Sequence, residues 1–121
     1  MSLTNFSVVH AHVEPLNRVL IHCLDGQQMV LVFISREAVD DYFEQRSLTP
    51  QQRNLLIMRN LELLQPVIQH KYTTDQVTTY HGTGGVRLPQ VDLSIADLRQ
   101  TSEPMTDTVL DVAAGAGFQR A

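Results

Sequence analysis

The sequence predicts an α+β domain: an antiparallel sheet of four or five strands packed against two helices, followed by a C-terminal extension. Three observations carry this prediction. Asp25-Gly26 separates two apolar, β-branched runs and reads as a hairpin turn. Ser35 and Thr49 each open a stretch whose apolar residues recur at helical spacing. After Tyr72 the apolar period returns to two, which is the period of a strand.

Residues 6–13 read as the first strand, with Phe6, Val8, His10 and His12 on one side and Ser7, Val9, Ala11 and Val13 on the other. Glu14-Pro15-Leu16-Asn17 reads as a turn. Residues 18–23 and 28–34 are the second and third strands. Asp-Gly favours positive φ at both central turn positions, so a type I′ hairpin is expected, with Ile21 opposite Val30 and Val19 opposite Val32. The third strand, Gln28 to Ile34, does not alternate. A strand that is apolar on both faces is expected at the centre of a sheet, covered on both sides. Helices supply one cover, and a partner chain or the C-terminal tail supplies the other.

Ser35 suits an N-cap, because its hydroxyl accepts from an orphan backbone N–H. Ala38, Val39, Tyr42 and Phe43 form the apolar stripe of a helix that should end near Arg46. Thr49-Pro50-Gln51-Gln52 supplies a second start, with Thr as N-cap, Pro at the first helical position and Gln closing a capping box. Ile57, Leu61, Leu64 and Ile68 then share a face, with Pro66 opposite them beside Arg59 and Glu62. A proline on the solvent face bends a helix without ending it, so one kinked helix over residues 50–71 is expected. Further strands are expected at 76–80 and 86–88, joined through His81-Gly82-Thr83-Gly84-Gly85, and Ser94 is expected to cap a short helix.

A chain of 121 residues fits a single domain, assigned to residues 1–100, with an extension at 101–121. Net charge is −4, and the nine Lys and Arg residues are scattered, which argues against a nucleic-acid binder. The longest apolar run, Met29 to Ile34, is too short to span a bilayer. The lone Cys23 excludes an intrachain disulfide and fits a reducing compartment. No basic and apolar signal segment opens the chain, so a cytoplasmic location is expected.

Ile34-Ser35-Arg36-Glu37-Ala38 after a buried strand, the acidic pair Asp40-Asp41, Lys71-Tyr72 at a helix end, and Val86-x-Leu88 followed by Asp92-Leu93 form a set. Together they resemble a short bacterial family of small α+β proteins known as a domain of unknown function. The resemblance covers residues 19–93 and implies the fold and a bacterial cytosolic setting. It implies no activity. Pro66 and the long C-terminal extension depart from the family's pattern.

Four side-chain groups bear on chemistry. His10 and His12 share a strand face, and pairing of Val13 with Arg18 would set His10 opposite Ile21 and diagonal to Cys23. His10, His12 and Cys23 are then candidate zinc ligands. Cys23 as a nucleophile lacks a base, since His22 points to the opposite face. Glu37, Asp40, Asp41 and Glu44 read as a solvated helix face, and the Gly82–Gly85 run as a hairpin loop rather than an anion nest. Asn60 lies among Leu56, Leu64 and Val67, where a buried amide must be hydrogen-bonded, and is expected to tie the helix to a strand end or loop.

The extension carries Met105, Val109, Val112 and Ala113 on one helical face, with Phe118 adding apolar surface. An apolar face of this kind marks a contact, so a docking helix ended by Gly115 is expected, packed on its own sheet or on a second subunit. The preferred reading is a non-enzymatic interaction module that self-associates as a homodimer and needs no cofactor. The alternative is a metal- or small-ligand-binding protein, hydrolytic if catalytic, centred on His10, His12 and Cys23 with zinc.

Overall fold

The computed structural model describes residues 2–9, 18–74 and 76–107. It is an α+β fold, with a five-stranded sheet carrying its helices on one face. The strands are β1 (Leu3–Val8), β2 (Arg18–Asp25), β3 (Gln28–Ser35), β4 (Thr78–His81) and β5 (Arg87–Leu93), in the spatial order β1-β2-β3-β5-β4. Three of the neighbouring pairs are antiparallel, as expected. The fourth, β3 with β5, is parallel. The parallel pair follows from the connection: helices and β4 lie between β3 and β5, and β4, antiparallel to both, runs to the end of the sheet where β3 begins, so β5 starts from that same end.

The hairpin forms, but two residues out of the expected register. Asp25 pairs with Gln28, so the loop is Gly26-Gln27, and Ile21 faces Val32 while Val19 faces Ile34. Only Gly26 of the two loop residues has positive φ (64°), as in a type II′ turn, which places Gly first. Asp25 is thereby freed to join the strand. A two-residue shift keeps every side chain on its face. The first strand also differs: it starts at Leu3, and Val8, not His10, pairs with Ile21. A bulge between Thr4 and Ser7, with Asn5 at φ 56°, interrupts its ladder. The expected turn at 14–17 and the strand residues 10–13 lie outside the described residues.

Helix α1 (Arg36–Phe43) starts as expected, with the Ser35 hydroxyl accepting from Ala38 N–H at 3.1 Å. It ends at Phe43 rather than Arg46, because Glu44 turns left-handed at φ 53° and closes it. The second start is also confirmed in full. Thr49 and Gln52 form the reciprocal capping box with Pro50 at the first position of α2 (Pro50–Arg59).

The single kinked helix is corrected. The chain breaks at Asn60 (φ −109°, ψ 14°), and α3 (Leu61–Thr73) follows as a separate helix with Pro66 inside it. The cause is local. The Asn60 side-chain amide donates to the Leu56 carbonyl at 2.7 Å, while its own backbone N–H turns to Ile57 O at 3.1 Å. A side chain that takes the i−4 carbonyl in place of the backbone weakens the helix at that point and bends it. Pro66 is exposed and only removes one bond, which α3 tolerates.

β4 is shorter than expected and β5 much longer. Pro89 sits one residue before the ladder with β3 begins at Gln90, so the proline does not stop the strand. Residues 82–86 connect β4 to β5 as a loop, with Gly84 and Gly85 at φ 72° and 82°. α4 (Ile95–Leu98) has a Ser94 capping box with Asp97.

The core lies between the helices and one sheet face. It joins Val19, Ile21, Cys23, Val30, Val32, Ile34, Val91 and Leu93 to Val39, Leu56, Ile57, Leu64, Ile68 and Leu98. α1 rests on β3, α2 on β1 and β2, α3 on β1 and β5, and α4 on β5. Leu61, whose spacing puts it on the buried face, is only half-buried, because the break at Asn60 rotates α3 relative to α2.

Candidate functional site

β3 is buried on both faces, as its unbroken apolar run predicts. Val30, Val32 and Ile34 belong to the helix-covered core. Leu31 (4% exposed) and Phe33 (5%) point the other way and lie outside that core cluster. Two cross-strand rows build this second face: Leu20–Phe33–Asp92, and Ser7–His22–Leu31–Gln90–Thr78. The Arg18 guanidinium stacks over the Phe33 ring at 3.9 Å, and Tyr80 packs against the same ring at 6.1 Å between centroids. Half-buried Leu20, Leu24 and Leu88 extend the apolar surface, and Met29 is 36% exposed. Burial pushes the His22 imidazole on this face below its ordinary value of 6.5. Among the described residues, the helices cover only the opposite face.

Cys23 points into the core, not onto this second face. It is 1% exposed, its thiol reaches Val30 O at 3.8 Å, and β1 opposite it is at the bulge. Burial pushes the thiol up to about 11, with the Asp25 carboxylate adding to the shift. A thiol held protonated and enclosed is a poor nucleophile at neutral pH. His10 and His12, the other candidate zinc ligands, lie outside the described residues. Among the described residues no group of three or more His, Cys, Asp or Glu side chains is placed to hold a metal.

The acidic face of α1 is not solvated throughout. Asp40 takes two bonds from Arg53 of α2, at 2.9 and 3.2 Å, and Arg53 is 7% exposed. The pair locks α1 to α2 and leaves Glu37, Asp41 and Glu44 beside an open groove of about 1020 Å³ that Arg36, Arg46 and Arg99 also line. Reading single helices misses the Asp40–Arg53 pair, because its partners lie on different elements thirteen positions apart.

Asn60 is 2% exposed and does tie a helix junction to a loop. Its Oδ1 accepts from Thr106 N–H at 2.7 Å, and its Nδ2 donates to Thr106 O at 2.9 Å. The Tyr42 hydroxyl accepts from Met105 N–H at 3.1 Å, and Gln45 Nε2 donates to the Asp107 carboxylate at 2.5 and 2.6 Å. Met105 itself is 7% exposed and belongs to the core. The remaining extension candidates, Val109, Val112, Ala113 and Phe118, lie outside the described residues. Asn60 and Met105 were expected to make contacts; for Tyr42, the sequence signal is its hydroxyl, a polar tip on an otherwise apolar stripe.

The Lys71-Tyr72 helix end, singled out by the resemblance, makes two ties. Lys71 Nζ donates to Asp97 Oδ2 at 2.5 Å and to Asp92 O at 2.7 Å, and Tyr72 donates to Asp25 Oδ2 at 2.5 Å. Burial would raise the Asp97 carboxyl, but the bonds from Lys71 and Ser94 outweigh it and hold the carboxyl below its ordinary value.

These observations define a small α+β protein with a mixed, mostly antiparallel sheet and helices on one side of it. Comparison with family models, with curated proteins and with solved structures gives no match to the chain. Among the described residues no helix is long and apolar enough to cross a membrane.

Proposed function

We propose that the protein is a non-enzymatic interaction module that self-associates through the second face of its sheet. The observation that carries this reading is β3, whose Leu31 and Phe33 are as buried as a core strand's residues on a face where the described residues place no helix. The occupant is a second copy of the chain. The edges of the sheet are poor templates for pairing, because β1 is bulged and β4 has only four residues. The face itself carries Arg18 and Asp92 on either side of Phe33, so both signs of charge are present on one surface. A two-fold contact needs that self-complementarity. The resemblance to a small bacterial α+β family fits a cytosolic module of this kind and adds no activity to it.

The test is solution mass by light scattering, for the wild type and for Leu88→Lys, which puts a charge on the face at a half-buried position. The expected result is a wild-type dimer and a monomeric variant with unchanged circular dichroism. A wild type that stays monomeric as its concentration is raised overturns the reading.

A further inference from the structure

We propose that the cleft formed by Tyr42, Gln45 and Asn60 is a peptide-docking site, that Met105–Asp107 fills it as a displaceable internal ligand, and that its partner in trans is the same segment of a second copy. The site lies on the helix side of the sheet. It is therefore separate from the second sheet face, and either surface can fail without the other.

The geometry specifies a ligand. Asn60 presents one acceptor and one donor to the backbone of a single residue, Thr106, and so reads an extended chain as a neighbouring strand would. Tyr42 takes the preceding N–H. Between these fixed points an unbranched apolar side chain, Met105, enters the core. Two residues beyond it, a carboxylate meets Gln45. The pattern is an apolar residue, any residue with a free N–H, then an acid.

The same contacts show why the segment is displaceable. Its hydrogen bonds to the body run to the side chains of Tyr42, Asn60 and Gln45, and among the described residues it joins no strand ladder. Pro104, Thr106 and Asp107 are exposed, so Met105 supplies the buried area. A segment held by one side chain and a few polar bonds opens locally at less cost than global unfolding. When it opens, the groove keeps its shape, because Asn60 is held by Leu56 O and Tyr42 by its edge-on contact with Phe43. A second copy offers an identical segment, so reciprocal exchange conserves every contact.

The test uses the full chain and a fluorescent peptide with the sequence of residues 101–107. In the double variant Met105→Asp/Thr106→Pro the internal segment cannot dock, since a charge replaces the buried thioether and the N–H to Asn60 is gone. The peptide is expected to bind this variant about ten-fold or more tighter than wild type, whose own segment competes at high effective concentration. Adding Asn60→Leu should abolish binding. For the second copy, the double variant and Asn60→Leu are both made on the Leu88→Lys background, which removes association through the sheet face. Each alone should then be monomeric, and mixing them should give a heterodimer, because one supplies a groove and the other a segment. Absence of peptide binding to a folded double variant overturns the docking site, and absence of the heterodimer overturns exchange between copies. Hydrogen exchange on the wild type covers the case of a variant that does not fold. Thr106 N–H is expected to exchange well before the core amides of α3, and equal protection would make the segment an inseparable part of the core.

Discussion

The two faces of β3 are equally apolar and are covered in different ways. On one, Val30, Val32 and Ile34 meet Ile57, Leu64 and Ile68 from helices placed by strong local signals. On the other, Leu31 and Phe33 are shielded by long side chains of the sheet itself, Arg18 and Tyr80 among them. The first face is a core that one chain completes. The second has the composition of a core, but among the described residues no second layer of secondary structure covers it. Burial of a residue and completion of a layer are therefore separate facts, and the proposed contact rests on the second of them.

The largest expected effect tests the completed face. Leu64→Ala should cost about 2–5 kcal/mol in urea melts, and the cost should not depend on protein concentration. Phe33→Ala should behave differently: if a second copy covers it, the loss should shrink as the protein is diluted and the wild type dissociates. Concentration-independent costs at both positions would erase the distinction between the faces.

Asn60→Leu comes next. It strands the Thr106 N–H and the Leu56 carbonyl, and an unsatisfied buried group costs about 1–3 kcal/mol. A thermal midpoint equal to wild type would show that the Asn60 contacts add nothing to the helix-covered side.

Tyr72→Phe is smaller, about 1 kcal/mol near neutral pH for one lost hydrogen bond. It also carries a pH signature. The hydrogen bond to Asp25, helped by burial, pushes the Tyr72 hydroxyl from 10.0 up to about 12. Its stabilisation is therefore fully present below pH 10 and is lost as pH rises through about 12. Alkaline titration of stability should show that loss in wild type and lack it in Tyr72→Phe. The smallest effect is Pro66→Ala, which should stabilise by up to about 1 kcal/mol through a restored bond to Glu62 O. Destabilisation by this change would mean that Pro66 sets the path of α3.

Local chemistry was legible in the sequence wherever the deciding groups are neighbours in the chain. Ser35, Thr49, Gln52 and Ser94 each cap the helix they were expected to cap, because N-caps act over three residues. The fold class and the two-sided burial of β3 also follow from composition and period alone. The need of Asn60 for a partner was legible as well, since a buried amide cannot go unbonded. What the sequence did not contain was the identity of partners far along the chain. The strap that Asn60 holds comes from 46 positions away, and Tyr42 reaches 63 positions to Met105. The hairpin register was decided by β2 and β3 pairing along their full length, which outweighed the preference of one dipeptide. The break at Asn60 rather than Pro66 starts locally, where the Asn60 amide takes the Leu56 carbonyl; the distant contacts with Thr106 then keep that residue at the joint, and the exposed proline is carried along.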